Sequence, residues 1–175
     1  TRDTAQLPFY RNIQINGSYF RDAGSGIVQE LGYSVSMAVE YLSQLTDRGI
    51  SPEAAASKMR FSFGTGTDYF LEIAKLRAAR ILWSLVADAY GFSGTSGSRM
   101  EIHSVTSCWN ATIFDPYVNM LRTQTEAMSA VLGGADSLTV NHFDIAFNKP
   151  GEFSERIARN QQLILREEAF FGRVT

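Results

Sequence analysis

Two histidines, a cysteine and an aspartate lie within or just after two predicted strands, and these residue types can bind metal ions. They are His103, Cys108, His142 and Asp144. Zinc ligands in proteins usually come in closely spaced pairs, such as His-x-His or Cys-x-x-Cys. Neither pair occurs in this sequence, so we predict no metal site.

A serine nucleophile is the second chemistry that these stretches suggest. Ser104 or Ser107, together with His142 and an acid, would supply the residue types for it. The Gly-x-Ser-x-Gly turn that presents a nucleophilic serine in hydrolases is absent. We therefore do not favour nucleophilic catalysis.

Residues 63–67 read Phe-Gly-Thr-Gly-Thr, between a predicted strand and the helix that follows it. Backbone N–H groups at a helix N-terminus attract anions, so a phosphate site is one interpretation. A lone Gly-x-Gly lacks the spacing of a dinucleotide-binding motif or a P-loop. An ordinary strand-to-helix turn is the favoured interpretation.

Four short strands alternating with helices are needed to position these residues. Runs rich in apolar residues predict strands at residues 13–15, 59–63, 101–106 and 137–140. Apolar stripes at helical spacing predict the helices, among them one through Ala74, Ala78, Ile81, Leu82 and Leu85 and one through Val118, Leu121, Thr125, Met128 and Leu132.

The strands recur about every 40 residues, which indicates four βα units with parallel strands. The predicted fold class is α/β, a single domain over residues 1–175 that forms half of a (β/α)₈ barrel. A complete barrel needs about 250 residues, and this chain has 175. Half a barrel leaves two strand edges unpaired and, we expect, an uncovered apolar inward surface, so we predict self-association or pairing with a missing half.

The composition excludes several classes of partner. The net charge of −2 provides no basic surface for nucleic acid, and no apolar run is long enough to span a bilayer. The single cysteine, Cys108, excludes an internal disulfide and fits a reducing compartment. We expect a soluble, cytoplasmic protein.

Two long stretches closely resemble the C-terminal part of the barrel in methylmalonyl-CoA mutase. They are DPYVNMLRTQTEAMSAVLGGADSL at residues 115–138 and EFSERIARNQQLILREE at residues 152–168. This family uses adenosylcobalamin to rearrange the carbon skeleton of an acyl-CoA. The resemblance implies that the chain supplies barrel strands five to eight, without the first barrel half or the cobalamin-binding domain. A truncated chain, a split gene or a proteolytic product would each account for that.

The residues at the family's chemically active positions differ. Residues 16–24 align with the family pattern SGYHMQEAG, and Ser18, Tyr19 and Asp22 replace its tyrosine, histidine and glutamate. Residues 103–109 align with HCQTSGW, where Val105 replaces a glutamine that contacts substrate and cofactor. Trp109 is kept and, in the family, lies against the corrin face.

The last strand and its loop also match the family in part. Residues 135–147 align with TQSLHTNSFDEAL, with Asn141 and Asp144 retained and Asp136 and Ile145 in place of a glutamine and a glutamate. We interpret Asn141 and Asp144 as turn-capping residues.

The resemblance therefore implies the non-catalytic small subunit of a heterodimeric methylmalonyl-CoA mutase, with the catalytic subunit as partner and no cobalamin on this chain. Lys58 and Arg60, on the strand before the Gly-Thr-Gly turn, are the candidate contacts for CoA phosphates. One alternative is a catalytic chain of a related acyl-CoA mutase, in which Ser18, Tyr19 and Val105 serve the chemistry. Another is an isolated module that binds CoA or another anion.

Overall fold

The structure, a computed structural model, describes residue 7 and residues 9–173. Four parallel strands form one sheet in the order β1-β2-β3-β4: Ile13–Asn16, Met59–Thr65, Ile102–Thr106 and Ser137–Thr139. The predicted four βα units and half-barrel fold are confirmed. The predicted domain, 1–175, extends slightly beyond the described residues at both ends.

Helices connect the strands, and two of them contain the apolar stripes that predict a helix, whereas the short helix at Ser18–Asp22 lies in a stretch expected to be a loop. The helices are α1 Ser18–Asp22, α2 Ile27–Asp47, α3 Pro52–Ala56, α4 Tyr69–Ala89, α5 Val118–Leu132 and α6 Glu152–Leu163, with shorter helical turns at Ser96–Ser98, Ile164–Glu168 and Phe171–Arg173. Ser51 caps α3, accepting a hydrogen bond from the Ala54 N–H at 3.3 Å, as its Ser-Pro-Glu start indicates. α5 ends at Leu132, before the glycine pair whose second member, Gly134, has φ +79°.

The helices cover one face of the sheet, and the hydrophobic core lies between the helices and that face. Phe61 and Phe63 from β2 and Ile102 from β3 are buried there. The indole of Trp83 on α4 packs edge-on against Phe61, with ring centroids 4.9 Å apart. Burial of these side chains is the main stabilising contribution to the fold.

The opposite face of the sheet is polar, so our expectation of an apolar inward surface is wrong. The strand register places Gln14 beside Arg60, Ser62 beside His103, and His103 beside Ser137. His103 bonds through its two ring nitrogens to the hydroxyls of Ser137 (2.8 Å) and Thr139 (3.2 Å). Because strand side chains alternate between faces, the apolar positions that predict the strands are those that face the helices.

The core faces of α4 and α5 differ from the apolar stripes that locate these helices in the sequence. On α4 the buried apolar residues are Leu76, Ala79, Trp83 and Ala87, whereas Ile81 and Leu85 are exposed. On α5 the buried residues are small or polar, and Leu121 is 68% exposed. In the part of the chain that the structure describes, no helix has the length and apolar character needed to cross a membrane.

Candidate functional site

The carboxyl edge of the sheet is the candidate site, because the loops that follow parallel strands meet at this edge. The loop after β1 contains α1, and the loops after β3 and β4 span residues 107–117 and 140–151. Hydrogen bonds between these loops give the edge a defined shape.

Asp22 connects the first loop to the third. Its carboxylate accepts hydrogen bonds from the Ser107 hydroxyl at 2.8 Å and from the Cys108 N–H at 2.9 Å. Trp109 packs on Gly24, which has φ +95° and where an added Cβ would lie 2.9 Å from the indole ring. The Trp109 side chain is nevertheless 63% exposed, so one part of its ring faces solvent. It does so at the carboxyl edge of the sheet, which we call the mouth of the half-barrel.

Ser18, Tyr19 and Val105, which the resemblance predicts to replace the family's active residues, are placed very differently from one another. Ser18 is buried and donates a hydrogen bond to the Asn16 side chain at 2.7 Å. Tyr19 is 72% exposed. Val105 is half-buried on the polar face of β3, where its aliphatic side chain cannot hydrogen-bond.

The fourth loop is held by capping interactions. The Asn141 N–H donates to the Thr106 hydroxyl at 2.8 Å, and the Asn141 side-chain amide donates to Cys108 Sγ at 3.4 Å. His142 Nδ1 lies 2.6 Å from Asp144 Oδ1. Burial acts to raise the pKa of Asp144, but hydrogen bonds, the strongest from His142, outweigh it and lower that pKa. The Asn141 contacts connect the fourth loop to the end of β3 and to the third loop, whereas the Asp144 contact lies within the fourth loop, and turn capping stays a prediction.

The geometry supports neither metal binding nor a serine nucleophile. Ser104 is hydrogen-bonded to Thr65, Ser107 donates to Asp22, and His142 is paired with Asp144. Burial, together with the charges of Asp22 and Glu126, raises the pKa of the Cys108 thiol to about 11. Among residues 7 and 9–173, no three His, Cys, Asp or Glu side chains are grouped to hold a metal ion.

A buried ionic cluster lies beneath the turn after β2, and sequence reasoning missed it. Lys75 Nζ lies 2.7 Å from Glu30 Oε2 and 2.5 Å from Glu72 Oε2, and all three side chains are fully buried. Lys75 Nζ also donates to the Gly64 carbonyl. Arg21 joins the cluster through Glu72 Oε1 at 3.2 Å. The sequence does contain one indication of the cluster: at helical spacing, Glu72 and Lys75 lie on the same face of α4 as Leu76 and Ala79.

Carboxylates of this cluster bind the backbone N–H groups of the turn that could have bound an anion. The Gly64 N–H donates to Glu30 at 2.7 Å, and the Gly66 N–H donates to Glu72 at 3.0 Å. Arg21 packs directly over the turn, since a Cβ on Gly64 would lie 2.8 Å from its Cβ. Two amides of the proposed phosphate cradle are therefore used inside the protein, which favours the ordinary turn.

Lys58 and Arg60 lie at the other end of β2. Lys58 is buried and donates to the Leu7 carbonyl at 2.6 Å, and Arg60 is paired with Glu101 at 2.9 Å. Along the extended strand β2, Lys58 lies about 20 Å and Arg60 about 13 Å from Gly64 in the turn. They are not near the mouth, and their contact with CoA stays a prediction.

Glu126 on α5 is a further buried acid that sequence reasoning missed. Its Oε1 accepts a hydrogen bond from the Asn110 side chain at 2.5 Å, and among the described residues its Oε2 has no partner. A cavity of about 10 Å³ between the third and fourth loops borders it, enough for about one water. Burial raises the pKa of Glu126 to about 7, despite the Asn110 hydrogen bond.

Replacing Glu126 by glutamine is expected to stabilise the protein increasingly as the pH rises. The folded pKa of about 7 exceeds the model-compound value of 4.5, so the group's stabilising contribution is present below pH 4.5 and lost as the pH rises through 7. The unfolding free energy of Glu126→Gln relative to wild type should increase by roughly 3 kcal/mol between pH 4.5 and 8. Urea unfolding across this range measures it, with the exposed Glu155→Gln as control. A pH-independent difference would contradict the expectation.

Comparison with known proteins adds the family. The profile of the family described as "Methylmalonyl-CoA mutase" matches residues 3–174. The methylmalonyl-CoA mutase small subunit of Porphyromonas gingivalis is 49% identical over 170 residues, which is 97% of this chain and 28% of that protein. The small subunit of Streptomyces virginiae is 43% identical, over 97% of this chain and 27% of that protein. The large subunit of Porphyromonas gingivalis is 38% identical, over 93% of this chain and 23% of that protein.

The chain thus spans about a quarter of the length of these curated relatives. Identity is higher with the two small subunits than with the large subunit, which agrees with the resemblance inferred from the sequence. Four parallel βα units and a family profile that covers nearly the whole sequence lead to one conclusion: the chain belongs to the methylmalonyl-CoA mutase family.

Proposed function

We propose that the chain is the C-terminal barrel half of the small subunit of an adenosylcobalamin-dependent methylmalonyl-CoA mutase, and that its role there is structural. The observation that carries this proposal is the placement and hydrogen bonding of the side chains at the mouth of the half-barrel. Ser18 is buried against Asn16, Asp22 is bonded to the third loop, and Val105 has no hydrogen-bonding group. A radical rearrangement needs polar groups that contact the substrate, and these positions do not supply them.

The same mouth is a poor fit for a cobalamin on this chain. The Asp22 carboxylate accepts hydrogen bonds from the Ser107 hydroxyl and the Cys108 N–H of the same chain. Trp109, with its exposed ring, is the candidate contact for a flat ring system. The cofactor and the interconversion of methylmalonyl-CoA and succinyl-CoA would belong to the catalytic subunit of the complex.

The partner in this proposal is that catalytic subunit. Within the described residues, β1 and β4 form the two outer edges of the sheet. In a full-length subunit the first barrel half would pair with these edges, and the chain on its own would self-associate through them. The cytoplasmic location and the single-domain boundaries are part of the same proposal.

Replacing Tyr19 by phenylalanine together with Val105 by alanine should leave mutase activity within about twofold of wild type. The reason is that, in the proposed complex, these two side chains touch no reacting group. The test uses the full-length small subunit co-purified with its catalytic subunit. Steady-state kcat/KM for methylmalonyl-CoA is the measurement, and the catalytic subunit without the small subunit is the control. The exposed Tyr19 hydroxyl is what would favour the alternative, a catalytic chain of a related acyl-CoA mutase. A loss of about 100-fold or more would support that alternative and end the structural proposal.

A further inference from the structure

The small cavity beside Glu126 lies where the third and fourth loops meet α5. Three elements line it, with Asn110 from the third loop, Asn119, Arg122 and Glu126 from α5, and His142 and Phe143 from the fourth loop. All three elements belong to this chain. The missing barrel half is therefore not needed to form the cavity.

Glu126 brings an unsatisfied oxygen to this cavity. The residue is 1% exposed, and its Oε1 accepts a hydrogen bond from the Asn110 side chain. Among the described residues its Oε2 has no hydrogen-bond partner. Buried polar atoms almost always have a partner, either a protein group or an ordered water. The cavity volume of about 10 Å³ fits one molecule of the size of water.

The charges around the cavity favour a neutral ligand over a small cation. Arg122 lines the same cavity, and its guanidinium donates to Asn119 Oδ1 at 2.9 Å. A cation bound to Glu126 would be repelled by this guanidinium. Water, in contrast, donates a hydrogen bond to a carboxylate and accepts one from the protonated acid, so it suits Glu126 in either state.

Charged and titratable groups face Glu126 from every element around it. They are Arg21 on α1, Glu72 on α4, Arg122 on α5, Cys108 in the third loop, and His142 in the fourth loop with its partner Asp144. Burial is the largest cause that raises the pKa of Glu126, and Glu72 acts in the same direction, whereas Asn110 and the two arginines act against it. The cluster of Arg21, Lys75, Glu30 and Glu72 contains two cations and two carboxylates, so it provides no net charge to stabilise a Glu126 carboxylate.

We propose that Glu126 binds one internal water molecule in this cavity and forms with it a pH-sensitive connection between α5 and the third and fourth loops. Asn110 connects the third loop to Glu126 Oε1. The water on Oε2 extends the contact to the fourth loop, which lines the same cavity.

Loss of the proton from Glu126 weakens this connection. The carboxylate is then a buried charge with one oxygen that has no partner among the described residues, and burying such a charge is unfavourable. More water reaches it when the third and fourth loops move apart, because these loops form the wall of the cavity. The inference does not rest on the proposed function, since the cavity and its acid lie within this chain.

The first test is amide hydrogen exchange of the full-length protein at pH 6 and pH 8.5. The probes are two loop amides, the Thr112 N–H, which donates to Asn119 at 3.1 Å, and the Asn141 N–H, which donates to the Thr106 hydroxyl at 2.8 Å. After correction for intrinsic exchange rates, their protection should fall about tenfold between the two pH values. That factor follows when Glu126 has a pKa of about 7 in the closed state and its ordinary value of 4.5 in the open state.

The matched variants are Glu126→Gln and, as control, the exposed Glu155→Gln. Glutamine does not titrate, so the protection in Glu126→Gln should agree within about twofold at the two pH values, whereas Glu155→Gln should show the full tenfold fall. Equal protection in wild type at pH 6 and pH 8.5 would overturn the proposal. A fall that persists in Glu126→Gln would also overturn it and would assign the pH dependence to another group, such as His142.

The second test is a crystal structure of the same protein at pH 6, at a resolution that shows ordered water. One water should lie about 2.7–3.0 Å from Glu126 Oε2. A cation at this position, a direct hydrogen bond from Oε2 to a protein group, or a cavity without electron density would each overturn the water site. Unchanged circular dichroism of Glu126→Gln would show that the variant used for exchange still folds.

Discussion

Replacing Lys75 by methionine is expected to lower the free energy of unfolding by about 3–5 kcal/mol, because it leaves the buried Glu30 carboxylate without its cation and Glu72 with Arg21 alone. Lys75 Nζ lies 2.7 Å from Glu30 and 2.5 Å from Glu72, and water reaches none of the three side chains. Methionine fills a similar volume, so the loss measures charge and hydrogen bonding rather than a cavity. Urea unfolding at pH 8 would measure it.

The pH dependence separates this cause from a general packing defect. Burial raises the pKa of Glu30, and Lys75 acts against that rise. Without Lys75 the folded pKa of Glu30 rises further, so the protein loses stability as the pH increases through that value. The deficit of Lys75→Met should therefore be largest at pH 8 and should shrink toward pH 5.

The matched control is Arg77→Met on the same helix. Arg77 is exposed and donates to the Leu132 carbonyl at 3.2 Å, so this variant should change stability by less than about 0.5 kcal/mol. A Lys75→Met deficit below 1 kcal/mol, or one equal at pH 5 and pH 8, would show that the cluster does not hold the turn after β2 as we describe.

The strands and their parallel order could be predicted from the sequence because they depend on local patterns. Residues 59–63 alternate, the Gly-Thr-Gly turn follows, and a βα repeat with right-handed crossovers leaves one arrangement. The resemblance to the mutase family also predicts which mouth positions have changed. Tyr19 and Trp109 lie in the segments that follow β1 and β3, and both are exposed.

The ionic cluster could not be predicted in this way, because its members meet only through the tertiary fold. Glu30 and Lys75 are 45 residues apart and lie on different helices. No local pattern pairs them, and charged residues are seldom fully buried unless they are paired. Lys58 and Arg60 are near the turn in sequence, but an extended strand separates them from it in space, and their contact with CoA stays a prediction.

The orientation of α4 shows the limit of periodicity most clearly. Of the residues that indicate a helix, Ala74, Ile81 and Leu85 are exposed, whereas Ala78 is half-buried and packs against the core. The stripe that faces the core contains the charged residues Glu72 and Lys75 as well as apolar ones. A search for apolar residues at helical spacing therefore does not detect it. A helix with a partner on each side has two apolar stripes, and sequence periodicity alone does not say which one faces the sheet.

Replacing Trp83 by alanine should show which stripe of α4 faces the core. We expect this change to lower the free energy of unfolding by about 3–5 kcal/mol. Trp83 is 1% exposed, packs against Phe61 and Phe92, and donates its indole N–H to the Gly97 carbonyl at 3.0 Å. Truncation leaves a cavity at the centre of the core and an unpaired carbonyl beside it. Urea unfolding of the chain, measured with a dilute monomeric sample, gives the difference.

The comparison variant is Ile81→Ala, two residues earlier on the same helix. Ile81 is 64% exposed, so its truncation should change monomer stability by less than about 0.5 kcal/mol. If Ile81→Ala were the more damaging of the two, the outward stripe would be the core face of α4. The opposite order would place the core face at Trp83 and Leu76, and would leave Ile81 and Leu85 at a surface where large apolar side chains face water.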